Sequence, residues 1–356
     1  MTKLDIIYSR FIFRFDDTKR MDFARKLASM LRNDFNLMDA LDRTWMVESK
    51  NGKKPNEPFA IVARDIKLKL ERGVSFPDAI NYWAPANEAL ILTVGDMSKL
   101  SIALDNMVRI GEGVSKIRSS VRDAMLYPLF LLALTFLIII AVGLYLVPPL
   151  EDAAGGNVIW HGTAATLVQV SYLANIYWQM VLASIGIIGF IIWKSLSLWS
   201  GRLRYIFDSI PPWSIYKISI STSWMMTLAA MVASGAPLPV AIRILSENST
   251  PYLRNILEKT NKYIANGDNL GTALLYTNSG FPSEDIVGDL VIYSDMVGFD
   301  ENLGRIAQDY LDNSVRRMER ISAMMNSVGI IIVSLVIAWV VFGTFEMQEQ
   351  ITAAIS

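Results

Sequence analysis

The sequence predicts an all-α fold: a polytopic membrane protein with two repeated six-helix cytoplasmic bundles and three transmembrane helices. Three observations lead there. Three long stretches lack Asp, Glu, Lys and Arg, apolar residues elsewhere recur at helical spacing, and two charged segments repeat one plan. No alternating strand pattern runs beyond a few residues. The 356 residues are 52% hydrophobic and only 19% charged, too apolar for a wholly soluble chain. With no cysteine and one histidine, His161, the chain has no disulfide framework, thiolate metal site, thiol nucleophile or Ser-His-Asp triad.

Residues 1–18 read as an extended N-terminal leader holding the one aromatic-rich strand candidate, Phe11-Ile-Phe-Arg-Phe15. Charges run throughout Met1 to Arg32, so no signal-peptide core is expected. Residues 19–123 form the first cytoplasmic domain. Phe23, Leu27, Met30 and Leu31 mark a helix, with breaks at Asn33-Asp34, Asn51-Gly52-Lys53-Lys54-Pro55, Gly73 and Ala84-Pro85. Ser75-Phe-Pro-Asp78 reads as a capping signature opening a short helix.

A span of about 30 Å of hydrocarbon takes about 20 apolar residues. The first span is 124–150, ending at Pro148-Pro149. A periplasmic loop, 151–175, leads to the second span at 176–193, with Trp178 and Trp193 as interfacial anchors. The second cytoplasmic domain, 194–320, breaks at Gly235-Ala-Pro237, Ser249-Thr-Pro251, Gly267, Gly280-Phe-Pro282 and Gly298. The third span, 321–345, precedes a periplasmic tail, 346–356.

Charge sets the expected orientation. Of the 33 Lys and Arg residues, 21 lie between Lys3 and Arg122 and 12 between Lys194 and Arg320, leaving none in 124–193 or after 320. The positive-inside rule puts the N-terminus and both charged segments in the cytoplasm and the C-terminus outside. Arg316, Arg317 and Arg320 serve as topology anchors for the third span, and also offer a patch for anionic lipid. The spans hold no Asp, Glu, Lys, Arg or His, which argues for anchoring over conduction and against both a permease and an intramembrane enzyme.

Setting Phe23-Ala-Arg-Lys-Leu-Ala-Ser-Met-Leu over Trp224-Met-Met-Thr-Leu-Ala-Ala-Met-Val, an offset of 201, aligns Leu27, Ala28, Met30, Leu37, Ala40 and Leu41 with Leu228, Ala229, Met231, Leu238, Ala241 and Ile242. Farther along, Gly73 meets Gly267 at offset 194, and Gly95-Asp96-Met97 meets Ser294-Asp295-Met296 at offset 199. The first and third spans coincide at that last offset. The duplicated unit is therefore a cytoplasmic domain plus a membrane helix, and the middle span returns the chain to the cytoplasm.

Ala124-Met-Leu-Tyr127-Pro128, Val147-Pro148 and Val94-Gly95-Asp96-Met97-Ser98, together with the duplicated layout over residues 19–347, resemble the inner-membrane platform family of type II secretion systems and type IV pili. Tyr127, Pro128, Gly95, Asp96 and Pro148 carry the match. Lys99 stands where the family usually has a second Gly, and Asn326-Ser327 where many members place Glu-Pro or Tyr-Pro. The short length and Pro55-Asn-Glu-Pro58 point toward the bundle-forming, type IVb kind. The resemblance implies a non-enzymatic platform in the bacterial inner membrane. Its implied partners are a cytoplasmic assembly ATPase, pilin subunits, other inner-membrane pilus assembly proteins and further copies of itself. No cofactor, metal or nucleic acid is expected.

A Gly-x-x-x-x-Gly-Lys-Ser/Thr loop is absent; at Gly52-Lys53, Val47 replaces the first Gly and Lys54 the hydroxyl residue. His161 lacks neighbours for a metal site. The pairs Glu284-Asp285 and Asp300-Glu301 read as helix-start charges; Pro128 reads either as a residue opening the first span, where a missing N–H costs little, or, as the resemblance implies, as part of an interface. Residues 1–125 hold 21 basic and 17 acidic residues, net +4. Charge density makes the first domain the expected motor-docking face, with Arg25, Lys26, Arg32, Arg64, Lys67 and Lys69 as candidates against an acidic partner.

Overall fold

The computed structural model describes residues 3–94, 100–155, 158–296 and 298–355. It is helical, with no strand among the described residues. The first series is α1 (Lys3–Phe15), α2 (Asp17–Arg32), α3 (Leu37–Glu48), α4 (Pro58–Glu71), α5 (Phe76–Asn81), α6 (Ala86–Val94) and α7 (Leu100–Ala141). Then come α8 (Val147–Ala153), α9 (Gly162–Leu198) and α10 (Arg202–Phe207). The last series is α11 (Trp213–Ala233), α12 (Leu238–Glu247), α13 (Pro251–Ala265), α14 (Leu270–Tyr276), α15 (Glu284–Tyr293) and α16 (Phe299–Ile355). The chain divides into two compact units, one of Met1–Ser119 with Leu196–Arg316, the other of Ser120–Ser195 with Arg317–Ser356.

In the first unit the local rules place the helix ends. Asp16, Asn36, Ser75, Asn269 and Ser283 each accept a backbone N–H from the first turn of the helix they open. The Ser75 signature does so at Asp78, as its spacing predicts. Asp34 turns the chain after α2 at φ 61°, and Gly73 after α4 at φ 83°, a conformation favourable only to glycine or a short polar residue. The core of α2, α3 and α4 is Phe23, Leu27, Leu41, Phe59, Ile61 and Ile66, all buried. In the last series Met225, Leu228, Met231, Leu257, Leu270 and Phe281 do the same work.

The N-terminus is not an extended leader. It is α1, whose Phe13 is buried between Phe23 and Phe59, with ring centroids 5.6 and 5.2 Å away. The alternating aromatics that suggest a strand satisfy a helix equally: Phe11 and Phe15, four apart, stack on one exposed face at 4.4 Å while Phe13 turns inward.

Pro128 does not open a helix. It is buried within α7, 28 residues past that helix's first residue, so its missing donor is one that the helix would have used. The charge-free stretch marks where the surroundings become apolar, not where the helix begins, because backbone hydrogen bonding is indifferent to that change. The connection expected over 151–175 is likewise shorter, since α9 is already helical from Gly162.

Among the described residues three helices are long and apolar enough to cross a membrane, within Leu100–Ala153, Ile176–Leu198 and Asn302–Ala354. The residues of α9 from 176 to 191 that are described are all exposed, and nearly all apolar. A five-residue π-helical segment, Val142–Leu146, continues α7. At Gly143 a side chain would press on Ala174 at 3.0 Å and on the Ser171 backbone, and the Gly143 carbonyl accepts from Ser171 Oγ at 2.8 Å. Val147, Ala164, Leu167 and Met347 form a buried cluster beside it.

Candidate functional site

The candidate docking cations lie on α2 and α4 of the first unit. Each is on the surface or half-buried, but most are already paired. Arg25 bonds Asp22 at 2.6 Å and Glu112 at 2.5 Å; Lys26 bonds Glu48 at 2.8 Å; Arg32 bonds Asp105 at 2.6 Å. Lys67 bridges to Asp42 at 2.6 Å, a contact that raises its ammonium above the ordinary lysine value. Lys69 pairs with Asp65 at 2.8 Å and lies 4.8 Å from the centroid of the Tyr82 ring. Arg64 is exposed and has no ion pair among the described residues. The field of this face is therefore weaker than its cation count, because neighbouring carboxylates screen five of the six.

Beside these helices, α1 leaves Leu4, Ile7, Tyr8, Phe11 and Phe15 exposed. A groove of about 810 Å³ runs next to it, lined by Tyr8, Ile12, Lys19, Glu48, Lys50 and Lys54 among others. A partner reaching this part of the unit meets an apolar helix face together with mixed charge.

Two buried ionic clusters hold the unit together, and spacing alone does not announce the first. Arg20, 1% exposed, donates to both oxygens of Glu88 at 2.7 Å. It also donates to the Phe13 and Arg14 carbonyls at 2.9 Å and to Asp17 at 2.7 Å. One guanidinium thus ties α1, α2 and α6, and Asp17 extends the network to Arg118 of α7 at 2.8 Å. Burial pushes the Glu88 carboxyl up, and the Arg20 hydrogen bonds pull against it. In the second cluster Arg204 bonds Asp208, whose other oxygen accepts from Tyr252 Oη at 2.8 Å, with the guanidinium 4.7 Å from that ring's centroid. Burial raises Asp208 above the usual carboxylate range. The i,i+4 spacing of Arg204 and Asp208 is the one sequence signal that marks this pair.

Of the residues carrying the family resemblance, Tyr127 is exposed on α7 and Pro148 stands in the first turn of α8. Gly95 and Asp96 lie outside the described residues. Arg316, Arg317 and Arg320 are all exposed on α16, with Arg316 donating to Asn313 at 2.6 Å. Glu284 and Asp285 occupy the first turn of α15. The backbone of Asp300 and Glu301 likewise falls in the first turn of α16. His161 is engaged through its backbone, whose N–H and carbonyl meet the Gln350 side chain at 3.1 and 3.2 Å.

Three apolar helices whose charge-free stretches carry no Asp, Glu, Lys, Arg or His, joined to a charged helical unit, define a polytopic α-helical membrane protein. The sequence profile of the Type II secretion system (T2SS) protein F family matches it twice, at residues 23–148 and 224–345, and the chain belongs to that family. It is similar to the Type IV pilus assembly protein PilC of Pseudomonas aeruginosa, 22% identical over 339 residues covering 89% of this chain and 86% of that protein. It is also similar to the Type IV pilus assembly protein PilC of Myxococcus xanthus, 23% identical over 347 residues covering 94% and 80%.

Proposed function

We propose that this chain is a non-enzymatic inner-membrane platform of a type IV pilus, or of a related type II secretion machine, on which a cytoplasmic ATPase acts to insert pilin subunits. The match of one family profile to both halves carries the reading, and the two relatives named as pilus assembly proteins supply the pilus. The absence from the sequence of a phosphate-binding loop supports an energy source in another protein. The one-sided distribution of cations supports a cytoplasmic N-terminus, two cytoplasmic helical domains (19–123 and 194–320) and a periplasmic C-terminus. The bundle-forming, type IVb kind is the finer assignment.

Deleting the chain is expected to abolish surface pili while pilin continues to accumulate in the membrane; unchanged piliation refutes the proposal. A reporter active only outside the cytoplasm is expected to work after the C-terminus and near Asn157, and to fail near Asn248. Activity at Asn248 overturns the three-span arrangement. For the motor, the full chain in nanodiscs, titrated with the cognate ATPase at two salt concentrations, is expected to bind less tightly at the higher one. Arg64→Glu is expected to weaken binding more than the already paired Arg32→Glu; salt-independent binding would argue for the apolar α1 face instead.

A further inference from the structure

The helix that follows the second span is built inside out. On α10, Arg204 is fully buried and Asp208, four residues on, is 6% exposed, the two paired with each other against Tyr252. The opposite face is Leu203, Ile206, Phe207 and, through the turn that follows, Ile210, at spacings of three, four and seven from Leu203. Leu203 and Ile206 are each 66% exposed and Ile210 is 52% exposed. A surface helix in water does the reverse, turning its apolar stripe inward and its charges out. Burying an ion pair while presenting three large aliphatic side chains makes sense only where the outer medium is itself apolar.

The surroundings identify that medium. Trp199, Phe207 and Trp213 cluster next to the exposed face, with centroids 5.1 to 6.4 Å apart, and such amphipathic rings favour the boundary between acyl chains and headgroups. The chain leaves α9, the second apolar helix, at Leu198 and enters α10 at Arg202, so four peptide steps limit the separation to roughly 14 Å. Whatever depth α9 reaches on leaving the bilayer, α10 starts within that distance of it. We infer that α10 and the turn after it form an interfacial anchor, lying in the membrane surface with Leu203, Ile206, Phe207 and Ile210 sunk among the acyl chains. An interfacial helix buries its apolar face to about 5–10 Å. This anchor would fix the depth of the charged segment that follows the second span. The inference rests on α9 crossing the bilayer and is independent of any role in pilus assembly.

The cysteine-free sequence allows a direct test. Spin labels are placed singly at Leu203→Cys, Ile206→Cys and Ile210→Cys, at Ile187→Cys within α9, and at Asn248→Cys, an exposed site after α12. Each full chain is reconstituted as one copy per nanodisc of phosphatidylethanolamine and phosphatidylglycerol. Collision with oxygen, which concentrates in lipid, is compared with collision with a water-soluble nickel chelate. The oxygen-to-nickel ratio at 203, 206 and 210 is expected to be several-fold above that at 248 and below that at 187. A ratio equal to that at 248 overturns the inference. So does low accessibility to both reagents, which would mean that protein covers the face. A water-like ratio at 187 refutes the crossing of α9 instead. A second variant, Leu203→Asp with Ile206→Asp in the Ile210→Cys chain, is expected to raise nickel accessibility at 210 several-fold and leave 248 unchanged; no change at 210 also overturns the anchor.

Discussion

Replacing Glu88 by Ala removes one half of the buried ion pair that joins three helices. Arg20 then keeps the Phe13 and Arg14 carbonyls and Asp17, but loses the carboxylate that meets it in bidentate fashion. Breaking a buried pair from one side costs about 3–5 kcal/mol, since the remaining charge stays out of water. Asp17 still offers partial compensation, which places the expected loss near the lower end, about 3 kcal/mol. For a folded unit of this size each kcal/mol lowers Tm by about 2–4 °C, so the full chain in detergent is expected to melt about 6–12 °C lower. Amide exchange is expected to quicken first in α1, whose last turn hangs on the Arg20 bonds. Replacing both partners by apolar residues, Arg20→Met with Glu88→Leu, removes the stranded charge but also the donors to the Phe13 and Arg14 carbonyls, and is expected to recover only part of the loss. If the double variant is as unstable as Glu88→Ala alone, or if the single change costs less than about 1 kcal/mol, the network is not held by paired charge as reasoned here.

Other perturbations probe separate parts of the molecule. At Gly271→Ala the new methyl group runs into the Leu290 and Val291 backbone, which cannot rotate away; overpacking typically costs about 1–3 kcal/mol, and Gly271→Ser is expected to be no milder in the same melting assay. Tyr252 is pushed above the ordinary phenol range by burial and then by the Asp208 charge beside it. Below pH of about 10 both folded and unfolded chains hold the proton; above it only the unfolded chain releases it. Stability therefore falls as pH rises through that value, and Tyr252→Phe is expected to flatten the fall in a pH series of melting curves. Exchanging Arg316, Arg317 and Arg320 for Glu is expected to leave a fraction of chains with the C-terminus on the cytoplasmic side, scored by the same outside-only reporter. A uniformly outside C-terminus assigns the orientation to the earlier spans or to the folded segment before it.

The sequence by itself determined the helical class and the position of each apolar span, because hydrocarbon thickness and helical periodicity are both local demands on composition. It also determined many helix ends, as at Ser75, Asp34 and Gly73, where capping and left-handed turns involve only a few neighbouring residues. Membership of the family was legible for a related reason: the same pattern occurs twice, and a repeated coincidence is informative. Tertiary structure alone decided the rest. Phe13 belongs to a helix because Phe23 and Phe59 offer its ring a core, whereas the residues around it satisfy helix and strand patterns alike. Pro128 lies inside α7 because helix continuity depends on the backbone bonds on either side of it, which no count of charges records. Arg20 and Glu88 stand 68 residues apart, and Arg25 is neutralised by Glu112, 87 residues away. An ion pair between distant helices leaves no periodic trace, so a face that reads as basic in sequence can be largely paired once folded. At α10, too, only folding showed which side faces out: Arg204 and Asp208 are buried while Leu203 and Ile206 are exposed.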